Sequence, residues 1–236
     1  MNVLLFIQES LNEAAIPAEA ASVPSTEVKM NILDLAIKGG WVMIPIVLLF
    51  FIAAGIFIER LLTIRKASHE SDSFMDRIKD YILSGRVDSA KNLCQKTHTP
   101  YARMIEKGLN RLGRPMNDIQ VAIENVGAIE VAKLEKGFPL VATAAALAPM
   151  LGFFGTVTGM VRAFFDMANA GSNVDITLLS SGIYEALVTT VAGLSVGIPV
   201  LFAYNYLVSK VDGVIAKMEA RSMDFMDILN EPVTKQ

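Results

Sequence analysis

The chain has 236 residues, 53% of them hydrophobic and 19% charged, with a formal net charge of −3; a soluble domain carries about 25% charged residues, so the composition points to a membrane protein. No basic run, and no interleaving of aromatic with basic residues, is present to neutralise phosphates, which argues against nucleic acid as a partner. The lone cysteine, Cys94, has no second Cys for a disulfide or to build a metal site; it reads as apolar filler, and nothing in the chain asks for a metal or a cofactor.

Residues 1–30 read as a flexible arm. The apolar start "NVLLFI" is interrupted by Gln8 and Glu9 and no positive charge precedes it, unlike a signal peptide, and "EAAIPAEAASVPSTE" has the Ala, Pro and acid content of a loose tether. In "MNILDLAIKGG", Ile32, Leu35 and Ala36 recur at helical spacing, which predicts a short helix lying in the membrane interface over residues 31–40. Three apolar runs then reach the length of about 20 residues that spans a bilayer: residues 41–58, 138–161 and 178–208.

The intervening segment 59–137 reads as a helical domain. Phe74, Ile78 and Tyr81-Ile82 make one apolar stripe stopped by Ser84-Gly85, and Leu93-Cys94 lies on a second short helix. Thr99-Pro100 opens a third, carrying Tyr101, Ile105, Leu109 and Leu112 before Gly113. Ile119, Ile123, Val126 and Ile129 then repeat with no breaker until Gly137, so the second span is expected to continue a helix that begins outside the bilayer. The third span continues likewise through a tail, residues 209–236, where Leu207, Val211, Val214, Met218, Phe225 and Leu229 keep one stripe. Such faces need a partner, and one chain offers few faces to cover them. Lys and Arg cluster at one end of the spans (Arg60, Arg65, Lys66; Lys133, Lys136; Lys210, Lys217), which predicts a cytoplasmic 59–137 segment and C-terminus, an outer N-terminus, and a short outer loop at 162–177.

Within the spans, Gly152, Gly155 and Gly159 in "GFFGTVTG" and Gly193 and Gly197 in "GLSVG" have the small-residue spacing that lets helix backbones approach closely, against each other or against further copies. Thr143, Thr156, Thr158, Thr189, Thr190 and Ser195 can each bond back to a carbonyl one turn earlier. Glu185 has no such outlet, no Lys, Arg or His in any span pairs with it, and burial at mid-membrane costs roughly 2.5–3.5 kcal/mol on the insertion scale for Asp. Two frames stay open. If Tyr204 and Tyr206 mark the inner interface, Glu185 lies about 30 Å away, at the outer edge of the hydrocarbon; if the third helix slides outward, it falls deeper.

"LAPMLGFFGTVTGMVRAF", Leu147 to Phe164, and "GIYEALVTTVAGLSVGIPVLFAYNYL", Gly182 to Leu207, resemble the two signature helices of the MotA/TolQ/ExbB proton-channel family, and the three-span layout is most similar to its ExbB branch, then to TolQ. The resemblance implies an all-α membrane fold in an oligomeric ring, pentameric in the ExbB type, around ExbD-like single-span partners whose aspartate carries the proton. It implies that Thr156, Glu185 and Thr190, with Thr189 a weaker candidate, face the pore. It further implies a bacterial inner-membrane motor that energises a TonB-like protein for outer-membrane transport, a Tol-type envelope system being the alternative. Of the rival classes, an intramembrane hydrolase lacks a base, because His69 and His98 both fall in segment 59–137; the chain is therefore not expected to be an enzyme. A transporter built on repeats is not matched by three unlike spans. A structural scaffold, the alternative from a different class, explains the glycines but not Glu185.

Overall fold

The computed structural model describes residues 39–68, 73–169 and 176–230. The expected arm at 1–30 and nearly all of the expected interfacial helix at 31–40 lie outside the described residues, as does His69. The described residues form seven α-helices and no strand: α1 (Met43–Ser68), α2 (Phe74–Leu83), α3 (Val87–Lys96), α4 (Pro100–Leu109), α5 (Met116–Leu134), α6 (Phe138–Asn169) and α7 (Ile176–Asn230). Three apolar helical stretches, in α1, in α6 with α5 running into it, and in α7, are long enough to cross a membrane.

Each long helix outruns its apolar run. α1 continues ten residues past Ile58, α6 runs on to Asn169 into the stretch expected as loop, and α7 is one helix of 55 residues that passes through Pro199. α4 ends at Leu109, so Leu112 falls in a turn: Arg111 N–H bonds Gly108 O and Arg114 N–H bonds Arg111 O as the chain reverses ahead of Pro115. Between α5 and α6 the chain breaks over three residues, where Gly137 takes φ +90°. Only glycine enters that left-handed region without strain, and Pro139 follows in the first turn of α6, where its missing N–H costs nothing.

Two clusters of side chains hold the helices together. At the polar end, five of the six members of the predicted α7 stripe are buried: Leu207, Val211, Val214, Met218 and Phe225 are each 3% exposed or less, packed with Ile78, Ile105, Leu109, Ile119 and Ile123 from α2, α4 and α5, while Leu229 is partly buried. This stripe is thus covered by the chain's own short helices. Cys94 lies in the same cluster, and burial pushes its thiol up to about 12, which leaves it unreactive. In the apolar half, Ala53 of α1 meets Val141, Ala144 and Ala145 of α6 and Val200 of α7. Much of the remaining apolar surface stays open: Ile44, Leu48 and Phe51 on α1, Phe153 and Val161 on α6, Leu187 and Ile198 on α7.

Candidate functional site: a hydroxyl pair in the seam of α6 and α7

Antiparallel α6 and α7 meet along a line of small residues. A methyl group placed on Gly155 would come within 2.5 Å of Thr189 Oγ1, and one on Gly159 within 3.1 Å of Ala186 Cβ. One on Gly193 would reach Ala148 O at 2.6 Å and Gly152 Cα at 2.9 Å; one on Gly197 would strike the Pro149 ring at 2.5 Å. Gly152 in turn faces the Thr189 carbonyl and the Thr190 Cα. Of the two packing partners open from the sequence, these five glycines meet the neighbouring helix of their own chain. Backbones this close bring side-chain hydroxyls of one helix within reach of carbonyls of the other.

Thr156 and Thr190 use that reach. Their Oγ1 atoms hydrogen-bond each other across the seam, although they stand 34 residues apart in sequence. Thr156 Oγ1 also lies 3.2 Å from Gly152 O and 3.2 Å from Ala186 O, and Thr190 Oγ1 lies 3.2 Å from Gly152 O. A hydroxyl has one proton to give and two lone pairs to accept, so the pair is satisfied in either direction. Thr156 donates to Thr190, which donates to Gly152 O; or Thr190 donates to Thr156, which donates to Ala186 O. Both residues are partly exposed. Chemically this is a two-hydroxyl chain whose polarity can reverse without breaking the packing.

Thr189 belongs elsewhere. It is 1% exposed, donates to Ala186 O at 2.8 Å, and fills the space beside Gly155. Its place is in the packing seam. Thr143 and Thr158 bond back to Pro139 O at 2.7 Å and Phe154 O at 2.9 Å on their own helix.

Glu185 is not brought to the hydroxyl pair. Five residues from Thr190, it points about 140° away around α7, and its carboxyl lies against Gly40, three residues ahead of α1, where any Cβ would collide with Oε1. Beside it the Trp41 ring meets Phe154 edge-on, centroids 6.3 Å apart. At the opposite end Tyr204 meets Phe138 at 6.3 Å, level with the break at Gly137 and with Arg60, whose guanidinium bonds Lys133 O at 3.1 Å. From Tyr204, Thr190 stands about 21 Å along the helix and Glu185 about 28 Å. Apolar surface does not stop there, because Phe164 and Phe165 on α6 are exposed beyond that level. Among the described residues Glu185 has no ion pair.

One polar cluster escaped the sequence reading. Glu130 on α5 is 3% exposed, its Oε1 held by Lys133 at 2.7 Å and its Oε2 paired with Arg103 of α4. Burial pushes its carboxyl upward, but the hydrogen bonds and charges of Arg103 and Lys133 together outweigh this and hold it below the usual carboxylate range. The Lys133 partner has i,i+3 spacing that a sequence can show, whereas Arg103 is brought in by the α4–α5 reversal. No group of His, Cys, Asp and Glu able to hold a metal occurs among the described residues.

The chain is similar in sequence to known proteins. The family model described as the MotA/TolQ/ExbB proton channel family matches residues 96–220. The chain is 31% identical to a putative biopolymer transport protein, ExbB-like 1, of Synechocystis sp., over 83% of this chain and 74% of that one. It is 28% identical to a putative ExbB homolog of Methanothermobacter thermautotrophicus, over 80% of this chain and 67% of that one. It is also 28% identical to the Tol-Pal system protein TolQ of Haemophilus influenzae, over 79% and 88%.

Proposed function

Because the chain belongs to the MotA/TolQ/ExbB proton channel family, we propose that it is the ring-forming subunit of an inner-membrane motor driven by the proton-motive force. The observation that carries this reading is the reversible Thr156–Thr190 hydroxyl pair, set about 21 Å from the Tyr204 level in apolar runs, 138–161 and 178–208, whose one charged residue is Glu185. A proton relay needs groups that both accept and donate, and needs them where water is scarce. Thr156 and Thr190 line the path, and Glu185 stands at its mouth beside Gly40, drawing cations and ordering water. The main carrier sits on another chain, an ExbD-like single-span protein, since among the described residues no carboxylate hydrogen-bonds to the pair. Each charge crossing the potential delivers about 2.3 kcal/mol per 100 mV, which the ring, pentameric in this reading, converts into movement against its inner helices and passes to a TonB-like protein. The basic ends at Arg60, Lys133 and Lys210 face the cytoplasm, and the Gly40 end faces the periplasm. A Tol-type role is the second reading, favoured by the match to a TolQ protein over 88% of its length.

Proton flux into liposomes holding the chain and its single-span partner tests the assignment. Thr156→Val keeps the shape and removes the relay, and is expected to lower flux by about tenfold or more, the equivalent of about 1.4 kcal/mol on the barrier; Thr156→Ser restores it. Glu185→Ala is expected to abolish flux while insertion and assembly persist. Unchanged flux in both variants would sink the reading.

A further inference from the structure

We propose that the chain carries a binding site for the phosphate-bearing headgroup of an anionic phospholipid, in the pocket where α1 leaves the bilayer and meets α4 and α5. The pocket, about 280 Å³, is lined by Lys66, Arg103, Lys133, His98, Thr63 and Glu130. Three permanent cations face one carboxylate, and that carboxylate is already used. Glu130 forms the inner wall with its side chain 4% exposed, and each of its oxygens is taken, one by Arg103 and one by Lys133. It gathers two cations from different helices and leaves their outer faces free: the Arg103 side chain is 43% exposed and that of Lys133 63%. Arginine brings five N–H donors and lysine three, so an anion entering from outside meets donors and no carboxylate oxygen. Lys66, exposed and without a polar partner among the described residues, completes the rim from α1.

Two further observations fix the ligand as an anion attached to an apolar tail. α4 begins in the same pocket with Pro100 and has no side-chain cap, so the first N–H groups of its opening turn add positive potential there. Directly above, Ile58 and Leu62 of α1 are 59% and 53% exposed, an apolar wall on the membrane side that begins one helical turn from Lys66 and about 6 Å above it. A headgroup in the pocket would set its acyl chains along that wall. Basic pockets between helices at a membrane face recognise anionic headgroups in this way. A soluble phosphate shares the headgroup's charge but makes no use of Ile58 and Leu62.

The test uses the full chain in nanodiscs of phosphatidylcholine with and without phosphatidylglycerol, read by native mass spectrometry of retained lipid and by thermal unfolding. Phosphatidylglycerol is expected to be retained and to raise the unfolding temperature. Lys66→Gln should lower retention about fivefold, the effect of one surface cation, and Lys66→Gln with Lys133→Gln further. Lys66→Gln removes no contact, so its unfolding temperature in pure phosphatidylcholine should match the parent, and Arg65→Gln, an exposed neighbour outside the pocket, should leave retention unchanged. Equal loss in Arg65→Gln would reduce the effect to general surface charge and overturn the site. Stabilisation by millimolar inorganic phosphate, in phosphatidylcholine alone and equal to that of phosphatidylglycerol, would overturn the lipid assignment.

Discussion

Glu130 shows how one buried acid decides the behaviour of its neighbours. Its two partners are largely solvated, so replacing the acid strands no charge in the interior, whereas removing Arg103 leaves a buried carboxylate with a single exposed lysine. Glu130→Gln is therefore expected to cost about 1 kcal/mol, a surface-like pair value, and Arg103→Leu about 2 kcal/mol or more, toward the range for broken buried pairs; chemical denaturation measures both. The pH dependence follows from the direction of the shift. The folded carboxyl titrates below its unfolded value of about 4.3, so its stabilising contribution is present above that pH and lost as pH falls through the lower folded value. Parent protein should lose this increment between about pH 4 and its acid limit, and Glu130→Gln should lack it.

At the scale of elements, α6 and α7 are joined through glycine more than through large side chains. A leucine at Gly155 has nowhere to go, because even its Cβ lands 2.5 Å from Thr189 Oγ1. Gly155→Leu is expected to split the seam, cost well over the roughly 1–3 kcal/mol of ordinary overpacking, and abolish the Thr156–Thr190 bond together with flux; a parent-like unfolding profile in detergent would contradict this. The apolar runs and the glycine spacing that place these helices are plain in the sequence, since lipid length and close packing write themselves as composition. Their pairing is not. Thr156 and Thr190 meet only because two antiparallel helices run in one register, and nothing local in "GTVTG" or "ALVTT" encodes that register. Likewise Glu185 looks like part of the threonine group in sequence, yet five residues carry it to another face, where it meets Gly40. Thr189 looks like an equal of Thr190, and one residue of rotation buries it.

Across the whole molecule, the burial is uneven. Helices α2, α4 and α5 cover the extended part of α7, while α1, α6 and α7 leave broad apolar faces with Phe51, Phe153 and Ile198 exposed. Lipid satisfies some of these, and assembly satisfies others if the subunits form a ring. Mass measurement of the purified chain in mild detergent should give a multiple of the 25.6 kDa protomer; a monomer that nonetheless conducts with its partner would remove the ring from the mechanism.

α7 crosses both halves of the molecule as one helix, and Pro199, the proline inside it, lies between the hydroxyl pair and the short-helix cluster. Proline deletes one bond of the ladder and eases bending there. From Pro199 to Asn230 the rod measures about 46 Å, so a tilt of about 5° at that joint swings the far tip by about 4 Å. Were α7 to hinge at Pro199, a shift of about 1 Å beside Thr190, about 14 Å from that joint, would carry Phe225, about 39 Å beyond it, by about 3 Å.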